Sequence, residues 1–433
     1  MSRHLIRTLD TWEPNYRLGD GCAIKHGFAF KGESMTTDAL GNAPIVVNIV
    51  NFQYTGGFRF SETKIQRYLG AYPSEYELQP GDVLLVMTCQ TPQGEILGVP
   101  GRIPADGRVY LHNQRMGLVV IKDSSKLDLS FLYYLFVSRD FNQHLFKTST
   151  GTKILHTAPS RIEDFRFARP PLQTQQQIAN ILSAYDNLIE NNTRRIKILE
   201  QMAQMLYREW FVNFRFPGHE KVKMVESAMG LIPEGWTPSS VGQLCSEVRR
   251  GVNPADVPAD TPYIGLEHMP RKSIALSEWG EAGQVQSTKL RFFRGEILFG
   301  KIRPYFHKVG VASVDGVCSS DAIVIVPTKA ELFPVVLLCV SSDDFVLQAT
   351  QTSQGTKMPR ANWDVLCKYP VALPPKTLLD RFGATIVPMV ELINNLALRN
   401  RCLQTTRDLL LPKLVSGEIE IPDVETVLEG ATV

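Results

Sequence analysis

The sequence predicts an α+β protein: two α/β domains joined by two long helices that form an antiparallel coiled coil, with an internal pseudo-twofold duplication. Three observations carry this expectation. Short segments recur along the chain in the same order. Before each recurrence closes, short β-rich runs alternate with Gly, Pro and Asn. Each half then reaches a Pro-Pro pair followed by a long heptad pattern.

The duplication is the first element to justify, because internal repeats set the architecture. TSTGTKI (148–154) recurs as TSQGTKM (352–358), 204 residues on. Pro170 and Pro171 recur at Pro374 and Pro375, Asn191 at Asn395, Leu199 at Leu403 and Leu206 at Leu410, all at 204. Upstream the spacing drifts, as loops of unequal length require. Gly81-Asp82-Val83-Leu84 answers to Gly295-Glu296-Ile297-Leu298 at 214, and Trp12 and Gly27 answer to Trp236 and Gly251 at 224. Strand-like runs include Ile45–Val50, Val83–Met87, Leu118–Ile121 and Ile323–Val326. The polar, Gly- and Pro-bearing stretch 216–236 reads as a linker. The resulting division is 1–169, 170–215, 216–373, 374–416, and an acidic tail at 417–433.

The helices come next. Ile178, Tyr185, Asn192, Leu199 and Leu206 fall every seven residues. Ile181, Leu188 and Met202 form a companion seam that Arg195 interrupts. The same frame 204 residues on gives Phe382, Met389, Leu396, Leu403 and Leu410, all apolar. Two heptad helices in one chain suggest an intramolecular antiparallel pair; the alternative is two amphipathic helices, each packed on its own domain. Asn192 then faces Leu-type neighbours as a register device. Pro388 should either kink the second helix or start it. The first helix, running from about Thr174 to Phe211, would be roughly 57 Å long at ~1.5 Å per residue.

Bulk properties set the class. The 433 residues are 44% hydrophobic and 21% charged, ordinary for a soluble globular protein with two cores. A net charge of +2 neither shows nor excludes nucleic acid. The opening MSRHLIRTLDTWEPNY has no apolar leader region, and no stretch approaches 18 apolar residues, so a cytoplasmic protein without a membrane anchor is expected. Seven scattered cysteines without a CxxC pair suggest reduced thiols.

Several segments together resemble the specificity (S) subunits of Type I restriction-modification systems. They are IKHGFAFKGE (24–33), the stretch 170–214 beginning PPLQTQQQIANIL, and GLIPEGW (230–236), with GEILFGKIRPYFHKVG (295–310), CSSDAIVIVP (318–327) and TSQGTKMPRANW (352–363) in the second half. The resemblance covers most of the chain. It implies two target-recognition domains, each reading one half of a split site in double-stranded DNA, and helices that set the gap. It also implies modification (DNA methyltransferase) subunits as partners, expected to be two, and a restriction/translocase subunit. S-adenosylmethionine, ATP and Mg are expected on those partners, with no cofactor on this chain. One departure is Leu378-Leu379-Asp380-Arg381 where the first helix has its Gln-Gln-Gln-Ile opening. The two spacer repeats are therefore unequal.

Catalytic motifs are not met. GEILFGKI (295–302) has Ile302 where a phosphate-cradling loop needs Ser or Thr. The two Pro-Pro pairs lack the flanking residues of a methyltransferase motif, and no metalloprotease or nuclease signature occurs. The eight histidines lack ligand spacing, so no metal site is expected. A stand-alone methyltransferase or nuclease with an unfamiliar site is the alternative reading, and a coiled-coil adaptor without DNA contact is a third.

Candidate DNA-binding residues cluster in the duplicated loops. Lys301, Arg303, His307 and Lys308 lie in an acid-free run with Tyr305 and Phe306. Lys357 and Arg360 flank one Gly-Thr turn, and Lys153 the other. Lys25 and Lys31 bracket Gly27-Phe28-Ala29-Phe30, and Asn113, Gln114 and Arg115 precede a strand. Amides and guanidinium groups pair with adenine and guanine in the major groove, whereas Lys, Ser and Thr more often hold phosphates. The competing reading of each is a solvated surface charge. For Arg303 it is also a structural ion pair. Trp12, Trp236 and Trp363 read as core.

Overall fold

The computed structural model describes residues 11–38, 41–60, 64–91, 93–419 and 421. Positions 1–10 of the opening segment and most of the 417–433 tail lie outside the described residues. The chain divides into two compact units, Met1–Asp186 with Thr406–Val433, and Asn187–Thr405.

In the first unit, strand Glu13–Arg17 pairs antiparallel with Arg166–Arg169, joining the unit's start to its end. Arg169 seals the pair, 2.7 Å from Glu13 and with its guanidinium over the Tyr16 ring. A four-stranded sheet orders Cys22–His26, Met116–Ile121, Val83–Val86 and Pro100–Arg102. Val83–Val86 is buried at every position, which explains its unbroken apolar run. A second sheet holds Ile45–Val46 parallel to Tyr110–Leu111, flanked by Gln66–Tyr68 and Glu77–Leu78. Helices Leu129–Val137 and Arg139–Thr148 begin at Asp128 and Ser138, whose side chains accept the Phe131 and Phe141 amides.

The second unit repeats this plan. Thr237–Ser240 pairs with Pro370–Leu373. Its main sheet orders Cys245–Glu247, Ala322–Pro327, Ile297–Gly300, Val309–Ala312 and Ala275–Leu276. Its other sheet holds Pro262–Ile264 parallel to Gly316–Cys318. Helices Phe333–Val340 and Asp343–Gln351 follow. The stretch read as a linker is more ordered than expected: Met224–Ser227 and Gly230–Pro233 form a hairpin, and Trp236 packs on Phe211, Phe214 and Phe216. Trp12 is buried as well.

The first long helix spans Leu172–Tyr207 and ends in a π turn, with the Asn213 amide bonded to the Arg208 carbonyl at 2.8 Å. Its glutamine-rich start has a physical role. Gln175 is fully buried; its Nε2 donates to the Lys126 and Pro170 carbonyls and its Oε1 accepts from the Asp128 amide. Leu379 holds the corresponding place on the second helix and is simply apolar core. That second helix runs unbroken from Lys376 to Ser416, so Pro388 neither starts nor ends it. Pro388 lies on the exposed face.

Within the second unit, Asn192 faces Asn400 and Phe211 faces Phe382, so partner numbers fall as helix numbers rise and the pairing is antiparallel. The expected seam Ile178, Tyr185, Asn192, Leu199 and Leu206 is buried or half-buried throughout. The companion line differs from expectation. It lies four residues on, at Leu182, Ile189, Ile196 and Ala203, while Leu188 is 53% and Met202 44% exposed. Arg195 is exposed and interrupts nothing. A 3.6-residue period admits companions three or four residues on, and the packing selects between them. On the second helix Phe382 and Leu396 are buried, whereas Met389, Leu403 and Leu410 are only half-buried. The more continuous line is Leu379, Ile386, Ile393, Asn400, Arg407 and Leu414.

Asn192 therefore faces an amide instead of leucines. Its Nδ2 donates to Asn400 Oδ1 at 2.9 Å, and Asn400 Nδ2 donates to the Ile189 carbonyl and Thr193 Oγ1. We expect Asn192→Leu to lower stability by about 1–3 kcal/mol, because the buried Asn400 carbonyl loses its donor. Leucine at both positions should recover most of that loss. Denaturant titration of the single and double variants checks this; equal losses in both would mean the amide pair is not the cause.

Candidate nucleic-acid interface

The same backbone junction is built in both units, at the end of a central strand. In the first unit the chain leaves Val83–Val86 at Met87, whose amide donates to the Arg115 carbonyl (3.0 Å) and whose carbonyl accepts from Thr157 (2.9 Å). Thr88–Cys89 then pairs with Leu155–His156. In the second unit the chain leaves Ile297–Gly300 at Lys301, whose amide donates to the Asp321 carbonyl (2.9 Å) and whose carbonyl accepts from Ala361 (2.9 Å). Ile302 then bridges Arg360, and the Arg303 amide donates to the Pro359 carbonyl at 2.7 Å.

The duplicated TSxGTK segment is the turn facing that strand end. Thr150 and His156 exchange two backbone hydrogen bonds, as do Gln354 and Arg360. Gly151 (φ +102°) and Gly355 (φ +100°) supply the left-handed residue that each turn needs. A Cβ on Gly151 would lie 2.0 Å from the Ile154 carbonyl oxygen. Equivalent places are thus held by Met87 and Lys301, Thr88 and Ile302, Cys89 and Arg303, Arg115 and Asp321, Lys153 and Lys357, and His156 and Arg360.

In the first unit Gln114 and Arg115 are exposed. Asn113 is only 7% exposed, and its amide is committed: Nδ2 donates to Asn48 Oδ1 and Oδ1 accepts from the Arg115 backbone. Its place is that of a brace for the two residues after it. The Gln114 amide donates to the Phe28 carbonyl, which brings the Gly27–Phe30 segment alongside. The rings of that segment turn inward, Phe28 onto Tyr76 and Phe30 onto Tyr68 and Tyr72. Next to them the buried His112 gives Nε2 to the Met116 carbonyl, and burial pushes its pKa down to about 4. Lys25 lies exposed on the strand beside Leu118, and Lys31 at the start of a 3-10 turn. Neither belongs to the Arg115 junction.

In the second unit Lys301, Arg303, Tyr305, Lys357 and Arg360 converge. Arg303 (φ +48°) and His307 (φ +51°) are left-handed non-glycine residues flanking the turn Pro304–Phe306. His307 anchors that turn: Nε2 meets the Ser341 carbonyl at 2.9 Å, Nδ1 lies 3.4 Å from Asp343, and burial depresses its pKa. Lys272 completes the anchor by holding Asp343 at 2.9 Å, which lowers that carboxyl's pKa. Burial also lowers the Lys308 pKa, its ammonium donating to the Leu266 carbonyl. Phe306 carries Arg271 at 3.9 Å and Arg303 at 5.9 Å from its ring centre. Tyr305 is 51% exposed and edge-on to Phe306.

Arg303 is not the ion pair its sequence context allowed. Its Nη2 donates to the Lys357 carbonyl at 3.4 Å, and its buried Nε has no partner among the described residues. Arg360 instead is the paired one, 3.7 Å from Asp321. Cys89, His156, Asp321 and Arg271 were not singled out from sequence. Carrying the spacings of 204 and 214 residue by residue would have found the first two. Such a junction presents guanidinium, amide, imidazole and ammonium donors on a fixed backbone, the set that bonds to base edges and phosphates.

Comparisons with known proteins agree in kind. Residues 10–201 match the family model described as the Type I restriction modification DNA specificity domain. The Type I restriction enzyme MjaIX specificity subunit of Methanocaldococcus jannaschii is 26% identical, covering 72% of this chain and 73% of that protein. The HindI specificity subunit of Haemophilus influenzae is 23% identical, covering 81% and 95%. In fold, the chain is similar to the S subunit of a Type-I restriction-modification system from M. genitalium, with a TM-score of 0.61, 14% identity, and coverage of 95% and 97%.

Proposed function

We infer the function from the premise that this chain belongs to the family of Type I restriction-modification specificity subunits. It is a sequence-specific DNA-binding subunit that reads a bipartite site and scaffolds modification and restriction subunits. One observation supports the split reading above all: the same junction occurs in both units on the same backbone hydrogen bonds, with different side chains. One scaffold with two sets of side chains suits two half-sites of unrelated sequence. The amides, guanidinium groups and lysines there suit the mixture of base and phosphate contacts that a duplex requires.

Finer assignments extend this reading. The chain contributes recognition and no catalysis; S-adenosylmethionine, ATP and Mg belong to partner subunits, of which two carry out modification in the cytoplasm. The experiment is to purify the chain alone and together with a modification subunit. Alone it should transfer no methyl group from labelled S-adenosylmethionine and cut no DNA. Together, the complex should methylate a split motif that sequencing of modified DNA reveals. Methyl transfer by the pure chain would return the stand-alone methyltransferase to first place. A complex that methylates without sequence preference would remove the reading role.

A further inference from the structure

We propose that two structurally equivalent pairs, Cys89 with Arg303 and Arg115 with Asp321, make the half-sites differ: Arg303 reads a guanine in the half bound by the second unit, and Arg115 a guanine in the half bound by the first. The proposal deepens the DNA-reading assignment and rests on it.

The pairs follow from backbone geometry. Met87 and Lys301 bond through their amides to the carbonyls of Arg115 and Asp321, and Cys89 and Arg303 lie two residues further along the same strand ends. At the first place the units carry a buried Cys89 and a part-exposed Arg303; at the second, an exposed Arg115 and a part-exposed Asp321. The guanidinium has thus changed places between the units on matching backbone hydrogen bonds, although Arg303 turns left-handed where Cys89 stays in a short strand paired with Leu155. Strand ends matched in hydrogen bonding but carrying the fork at different places would meet different base pairs in the two halves.

Arg303 has the marks of a reader held for use. It sits in a left-handed backbone that an arginine adopts only at a cost, and such strain persists where surrounding structure imposes it. Here it is imposed from both sides, by the Pro359 carbonyl on its own amide and by His307 anchored to Ser341 and Asp343. The guanidinium lies beside the Phe306 ring, and its buried Nε is unmatched. A fork pre-placed in this way loses little freedom when it bonds in bidentate fashion to guanine O6 and N7. Arg115 is fixed comparably, its amide on Asn113 Oδ1 and its carbonyl on Met87, so an exposed side chain projects from a fixed point. Asp321 takes up Arg360, whereas Arg303 has no carboxylate partner among the described residues and bonds the Lys357 carbonyl instead. Lys153 and Lys357 are exposed on the glycine turns, where a flexible ammonium suits a phosphate.

The test uses the complex with its modification subunit and a library of duplexes randomised across the wild-type motif. Arg303→Gln should reduce the preference for guanine at one position of one half-site by roughly 10- to 100-fold and leave the other half unchanged. Arg115→Gln should do the same in the opposite half. Arg303→Gly guards against misfolding, because glycine relaxes the left-handed backbone while removing the fork; it should lose the same guanine preference. Lys357→Ala should weaken all sequences alike and reduce the salt slope by about one. A wild-type complex that reads a split motif, with Arg303 and Arg115 variants that read it unchanged, would overturn this proposal and leave the family reading standing. Variants that alter both halves together would overturn it too. A wild-type complex with no sequence preference would overturn both.

Discussion

Replacing Arg407 by methionine should destabilise the first unit by about 2–3 kcal/mol. Arg407 Nη1 bonds Asp186 Oδ1 at 2.6 Å, and Tyr134 donates its hydroxyl to the other carboxylate oxygen at 2.8 Å. The arginine side chain is 16% exposed and the aspartate 32%. Breaking a fully buried pair by removing one partner costs about 3–5 kcal/mol, because the remaining charge is left without compensation. Here water reaches a third of Asp186, so part of that cost is recovered and the lower figure is expected. Methionine keeps the packing of the aliphatic stem against the helix. Hydrogen exchange across Leu129–Val137 and the first long helix should report the loss locally. Removing Asp186 as well, as Asp186→Leu, should restore only part of the stability, since it removes the orphan charge but leaves the buried Tyr134 hydroxyl without its acceptor. A single variant as stable as the parent would show that the network contributes nothing.

Exchanging residues 1–169 for the equivalent segment of a relative should change one half of the recognised site and leave the other intact. Each mismatched base pair costs about 1–3 kcal/mol, roughly additively, so each pair changed in that half-site should weaken binding to the original sequence roughly 10- to 100-fold. The fold shows where the cut belongs. Glu13–Arg17 pairs with Arg166–Arg169, so a junction after Arg169 transfers that closing ladder whole. The graft must still accept Ile178, Ala179, Leu182, Leu411 and Leu414, which come from the helices and belong to the first core. A poor fit there would lower stability without altering the second half of the motif. Mapping modified sites for the exchange checks the result, and a swap that altered both halves together would contradict one reader per unit.

Much of the fold was written in local pattern. The buried run Val83–Val86 and the glycines at 151 and 355 each answer to the residues beside them. The duplication was legible for the same reason: from the Gly-Thr turn through the long helix the two halves match without insertion, so the spacing of 204 stays constant from residue 148 onward. The candidate site was legible only in part. The Gly-Thr turns and the basic run at 301–308 stood out as composition. That Arg303 would be strained and bonded to the Lys357 carbonyl, Arg360 paired with Asp321, and Asn113 turned inward to Asn48 depends on chain segments far apart in sequence.

The helices mark the boundary most clearly. Sequence alone determined that two long helices exist and that each has an apolar face, because a seven-residue recurrence is a property of one strand of chain. It could not decide which companion line closes the seam, since lines three and four residues on fit a 3.6-residue helix equally well. Nor could it find Asn400 as the partner of Asn192. The repeat spacing maps Asn192 onto Leu396, because duplication relates residues in parallel order. Antiparallel pairing relates them in reverse order, and its register is set only when both helices pack against the sheets and loops that hold them.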